Sequence, residues 1–168
     1  MIHNGILLLT PVLKTAIAGL VLLAAMRDIM TRTVSNWIPL TMAVLCTALA
    51  AVEHRLIFGL GFGLAVFVIC FVFWNRGWMG GADVKLLGAA AIAVAPMDVE
   101  AFLLGVTLFG GLLSVAYLTG GRILPRPASK PPSALISRVL RVEAWRIRHR
   151  GPLPYACAIA AGTLFILS

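Results

Sequence analysis

Charge is scarce in this chain, and acid is scarcest of all. Of 168 residues only 6 are Asp or Glu and 14 are Lys or Arg, so 12% of the chain is charged. A soluble domain carries about 25%. The apolar share is 61% and the mean hydropathy +1.00, too much greasy surface to hide in a globule this small. Together these values exclude a water-soluble enzyme, a disordered chain and a secreted disulfide scaffold. Cysteine is nearly missing too. Cys46, Cys70 and Cys157 each stand alone in an apolar stretch, without a CxxC pair. No zinc site or redox motif is expected, and all three read as small buried hydrophobes. His3, His54 and His149 show no metal-ligand spacing. No metal and no cofactor is expected, and no internal repeat is evident. What remains is an all-α integral membrane protein.

Apolar runs are what the chain does have. Four charge-free stretches, about 33–52, 56–74, 101–119 and 152–168, approach the roughly 20 residues that cross a hydrocarbon layer. A fifth, about 5–26, is interrupted by Lys14. It makes a poor signal peptide, because no basic residue precedes the apolar run. A sixth, about 84–96, is short, with Lys85 near its start and Pro96 at its end. Six spans put both termini on one side. Every basic residue except Lys14 and Arg55 then falls in the odd-numbered connections. Positive charge marks the cytoplasmic side, so both termini are expected outside, in the periplasm.

The net charge of +8 would point to nucleic acid in a soluble protein. Here the basic residues flank apolar runs, and no nucleic acid is expected. The single long connection, about 120–151, opens on Gly120–Gly121 and a run containing Pro125, Pro127, Pro131 and Pro132. It reads as an extended spacer. From Ser133 to His149 the spacing of Leu135, Val139, Val142 and Trp145 turns helical, with Arg138, Arg141 and Arg148 on the remaining face. A basic amphipathic helix of this kind lies on anionic headgroups.

Ionisable groups near a membrane interior are costly and mark function by default. Glu53, Asp98 and Glu100 fall in short outer turns, and Glu143 sits on the basic helix with an Arg as its expected partner. Asp28 and Asp83 are left. Asp28 lies roughly 21 Å along a helix from Lys14 at 1.5 Å per residue, short of the ~30 Å hydrocarbon layer. The short fourth span leaves Asp83 similarly sunken. Two carboxyls at one depth on the cytoplasmic side can face each other across about one water molecule. Neighbouring carboxyls cannot both ionise cheaply, so one keeps a proton. One then acts as base on water while the other donates to a substrate carbonyl. Structural roles stand beside this chemistry. Asp83, after Gly80–Gly81–Ala82, is a sound N-cap, and Asp28 stands four residues before Arg32, a spacing for a helical ion pair.

Lys85 lies too far round a helix from Asp83 for a direct pair, and reads as reaching for headgroups. Gly59, Gly61, Gly63, Gly110 and Gly111 read as allowing close helix packing. Asn36 and Pro39 suit a helix start.

The stretch Met79-Gly80-Gly81-Ala82-Asp83-Val84-Lys85-Leu86-Leu87 resembles the GxGD motif of the bacterial type IV prepilin peptidases. Asp28 with Arg32 and Val34-Ser35-Asn36 resembles that family's first aspartate segment, D-x-x-x-R-x-I-P-N. Leu153-Pro154-Tyr155-Ala156 is similar to the element that opens the family's last helix. The resemblance implies a membrane-embedded aspartic endopeptidase that removes prepilin leaders at the cytoplasmic face of the inner membrane. It implies Asp28 and Asp83 as the catalytic pair, with Gly80, Gly81, Ala82, Lys85, Arg32 and Asn36 as motif and supporting residues. Ala82 stands where the family has glycine, and Ser35 where it commonly has proline. Alanine strains the backbone there if φ is positive. Without the four-cysteine segment of the larger bifunctional enzymes, the chain looks like the compact peptidases of Flp/Tad pili, a single domain over 1–168. Archaeal preflagellin peptidases are similar as well. The rival expectation is a small transporter or assembly scaffold whose aspartates are structural. The sequence is silent on oligomeric state.

Overall fold

The computed structural model of the chain describes residues 2–123, 135–148 and 153–167. Within them it is helical, with no strand. Seven helices follow one another: α1 (Ile2–Thr31), α2 (Trp37–Val52), α3 (Leu56–Asn75), α4 (Gly81–Ile92), α5 (Val99–Ile123), α6 (Leu135–Arg148) and α7 (Tyr155–Leu167). A single 3-10 turn, Pro96–Asp98, leads into α5. Three stretches are long and apolar enough to cross a membrane, Leu9–Thr31, Leu56–Asn75 and Pro96–Gly120, while α2 and α7 are shorter apolar helices. The chain is a multi-pass membrane protein.

Helix limits differ from the sequence expectation where local chemistry overrules the apolar pattern. α1 runs past Met26 and carries Arg27 and Asp28 in its last turns. It stops because Arg32 takes a left-handed φ of 56°, while its N–H still donates to the Asp28 carbonyl at 2.9 Å. α2 begins at Trp37 rather than near Thr33. α4 ends at Ile92, and Pro96 opens the next turn rather than closing α4. α5 continues through Gly120–Gly121, expected as the start of the spacer. The proline run after it, with Arg126, Lys130 and Ser133, lies outside the described residues, as do His149, Arg150 and Pro152.

α4 is the centre of the bundle, packed on α2, α3 and α7. Small residues make that possible: Gly88, Ala89, Ala90 and Ala91 are buried in succession. α3 approaches so closely that a Cβ at Gly59 would stand 2.6 Å from the Ile92 carbonyl oxygen. At Gly63 it would stand 3.1 Å from that of Gly88. Gly61, between them, faces open space. The GxxxG spacing therefore places two of the three glycines in the seam. At the far end of α4, Arg55 Nη1 and Nη2 donate to the carbonyls of Val94 and Ala93, each at 2.8 Å. Its Nε donates to Glu53 at 2.6 Å. This one side chain satisfies carbonyls that a helix end otherwise leaves unpaired.

The second packing group joins α7 to α1 and α5. α5 and α7 cross backbone to backbone, since a Cβ at Gly105 would lie 3.2 Å from the Gly162 Cα. Ile17 and Val21 of α1, Met42 and Leu49 of α2, Leu86 of α4, Phe102 of α5 and Ile159 of α7 complete one continuous core. The outer surface is apolar as well. Ile57 of α3 is 91% exposed, the pattern of a helix facing lipid.

Candidate active site

Asp28 and Asp83 sit at the same end of the bundle, one at the close of α1 and the other at the opening of α4. The Asp28 carboxyl is buried. Its Oδ2 accepts the Ala156 N–H at 3.2 Å, a donor that the first turn of α7 leaves without an intrahelical partner. Pro154, which has no N–H of its own, sits just ahead of that helix. The last helix thus presents a backbone donor and the positive end of its dipole to an acid on the first.

Asp83 is the third residue of α4. Gly80 is the N-cap, extended at ψ 139°, and no side chain caps the helix. The expected capping role of Asp83 is therefore not found. Its N–H donates to the Gly80 carbonyl at 3.1 Å, and among the described residues its carboxyl accepts no hydrogen bond. The acid turns back over the loop so tightly that a Cβ at Gly80 would stand 2.8 Å from Asp83 Oδ2. A Cβ at Gly81 would stand 3.1 Å from Trp74 Nε1. A side chain at either glycine would have to displace Asp83 or Trp74. Ala82 lies inside α4 and has no positive φ, so the strain foreseen for an alanine there does not arise.

The helical ion pair foreseen between Asp28 and Arg32 is absent too. Arg32 leaves α1 and reaches across to α5 and α6. Its Nη2 donates to the Tyr117 hydroxyl at 2.8 Å and to Glu143. Glu143 pairs with Arg146 as well, at 3.0 Å, and Arg146 Nη1 donates to the Ile29 carbonyl at 2.8 Å. The arginine partner expected for Glu143 is present twice over. Asp83 lies within range of the Asp28 charge, and both acids lie within range of Arg32. The ends of α1, α5 and α6 therefore converge on one polar cluster, which the first turn of α7 joins through Ala156.

Lys85 and Asn36 form the outer edge of this end. Lys85 Nζ donates to Asn36 Oδ1 at 2.9 Å, tying α4 to the turn between α1 and α2. Asn36 occupies the N-cap position of α2 without a side-chain capping bond, because its side chain serves Lys85 instead. Sequence reasoning missed Tyr117, Arg146 and the Ala156 N–H. Glu143 was the available signal, being the sole acid on a basic helix.

α6 meets α1 through charged side chains. Glu143 and Arg146 face α1, while Val142 and Trp145 are 44% and 54% exposed.

Residues 15–115 match the sequence profile of the type IV leader peptidase family. The matched stretch holds Asp28, Arg32, Asn36 and the whole of Gly80–Lys85, and stops short of α6 and α7. No curated protein and no solved structure matches the chain.

Proposed function

This chain belongs to the type IV leader peptidase family, and we propose that it is an aspartic endopeptidase using Asp28 and Asp83 to cut prepilin leaders at the cytoplasmic face. One observation carries this reading. Two acids from distant helices sit at one end of the bundle beside a polar cluster, and neither the Arg32 ion pair foreseen for Asp28 nor the helix cap foreseen for Asp83 is made. The rival transporter or scaffold reading needs those partners, an ion pair for Asp28 and a cap for Asp83.

The Ala156 N–H and the α7 dipole suit Asp28 to act as the carboxylate base. Asp83 then supplies the proton. Asp28 takes a proton from water as the water oxygen bonds to the scissile carbonyl carbon. The carbonyl π pair moves onto its oxygen, which takes the Asp83 proton, giving a gem-diol. The amide nitrogen next takes the proton held by Asp28, the C–N bond breaks, and a gem-diol hydroxyl returns a proton to Asp83. The products are a carboxylic acid and an amine, and both aspartates return to their starting states.

Six spans with both termini in the periplasm, in the bacterial inner membrane, complete the proposal, with one peptidase domain over 1–168. Positive charge puts the basic connection of about 120–151 in the cytoplasm. There α6 rests Val142 and Trp145 on the anionic leaflet while its charges hold the site. An Flp-type prepilin is the substrate class that the motif resemblance implies. Co-expression with a candidate Flp prepilin is expected to give a leader-sized mobility shift, lost in Asp83→Asn. Normal cleavage by a well-inserted Asp83→Asn variant would overturn the mechanism.

A further inference from the structure

Arg32 is built into the site more deeply than a helix terminator requires. Its side chain is 12% exposed, and the guanidinium carbon lies 5.7 Å from the centre of the Tyr117 ring. Tyr117 and Glu143 both engage a single nitrogen, Nη2. Nε and Nη1 are shut off from solvent and have no partner among the described residues. Those two atoms carry three N–H bonds in a cation that never titrates. Buried donors are nearly always paired in a finished structure, so an acceptor belongs here that the described residues do not supply.

The surroundings define that acceptor. Asp28 has turned its Oδ2 to Ala156, and Glu143 already serves two arginines. A fully charged anion entering the cluster would meet repulsion from Asp28, Asp83 and Glu143 together. A neutral oxygen that gains negative charge only during the reaction avoids that penalty and draws most from a fixed cation.

We propose that Arg32 is a third catalytic residue, donating from Nε or Nη1 to the carbonyl oxygen of the peptide bond being cut. This rests on the peptidase reading of Asp28 and Asp83. A carbonyl oxygen has two lone pairs. One receives the Asp83 proton, and the other faces Arg32, which holds the developing charge without giving up a proton of its own. Tyr117 and Glu143 are the positioning residues, since they fix the Nη2 corner and so aim the other two nitrogens.

The test uses the purified full chain in detergent and a prepilin precursor that it processes. Arg32→Lys keeps the charge and loses the planar donor set. It is expected to lower kcat about 100-fold, as removal of an oxyanion donor does, with KM changed less than about threefold. Tyr117→Phe is expected to lower kcat about tenfold with KM unchanged. If Arg32→Lys fails to accumulate, the Tyr117→Phe result decides. A kcat within about threefold of the parent in both variants would overturn the inference, and so would a rise in KM alone. Loss of cleavage in Asp83→Asn beside full activity in Arg32→Lys would remove Arg32 only. Full activity in Asp83→Asn would remove the peptidase reading first.

Discussion

The two aspartates are held in opposite ways. Asp28 sits in a polar lattice, with Ala156 donating to its carboxyl and Arg32, Glu143, Arg146 and Tyr117 binding the end of its helix to α5 and α6. Asp83 has no such lattice. Its position follows from shape: glycines before it, α3 pressed against its helix through Gly59 and Gly63, and Arg55 gripping the far end of that helix. One acid is placed by charge and the other by fit. A site assembled from both is exposed to two kinds of damage, and mutations can tell them apart.

The largest expected effect removes the contrast altogether. Asp28→Asn and Asp83→Asn should each cost about 10⁴-fold or more in leader removal, and the double variant should be no worse than either, as for residues acting as one unit. Cleavage rates on protein verified as inserted and folded would check this. An additive double variant would show that the two acids work separately.

Next comes the shape-held side. Gly63→Leu forces a side chain into atoms of α4 that are backbone as well as side chain, beyond the 1–3 kcal/mol that ordinary overpacking costs (about 3 kcal/mol or more here). Thermal unfolding in detergent should show a large loss of stability, with activity falling in step. Stability close to the parent would mean that the seam can open cheaply.

Arg55→Gln is expected to cost less, about 1.5–3 kcal/mol, the range for hydrogen bonds to a charged group. Activity per folded molecule should stay near the parent value, because Arg55 grips the end of α4 opposite Asp83. Cleavage normalised to the folded fraction measures this. A selective loss of kcat would tie the far end of α4 to the chemistry.

The smallest effect sharpens the comparison most. Gly61 lies between Gly59 and Gly63, and a Cβ added there would meet nothing within 4 Å. Gly61→Ala should leave activity unchanged and raise stability by up to about 1 kcal/mol through helix propensity. A destabilised Gly61→Ala protein would place the α3–α4 seam elsewhere on the helix.

The sequence made the membrane class legible because scarce charge and long apolar runs act residue by residue. It also singled out both aspartates, since an isolated acid near an apolar span is conspicuous at any depth. Their structural alternatives failed for a reason no local pattern contains. Arg32 at i+4 suits a helical pair with Asp28, but it leaves the helix at φ 56° and meets an acid 111 positions away. Gly80 takes the capping position that Asp83 could have filled. Three evenly spaced glycines in α3 looked alike, although the rotation of one helix against another puts only two in the seam. Tyr117 was invisible, and Ala156 stood out only within the motif that opens the last helix, because their contacts depend wholly on which helices become neighbours.

The hydrogen bond between Ala156 and Asp28 also fixes an order of events. Its partners are separated by 128 positions, and α1 enters the membrane long before α7 has been synthesised. Until α7 docks, Asp28 lacks its backbone donor. A chain still on the ribosome therefore carries both acids of the pair without a finished site. On the proposed mechanism the site is completed by the arrival of the final described helix, so a product truncated before α7 is expected to be inert rather than a loose protease in the membrane.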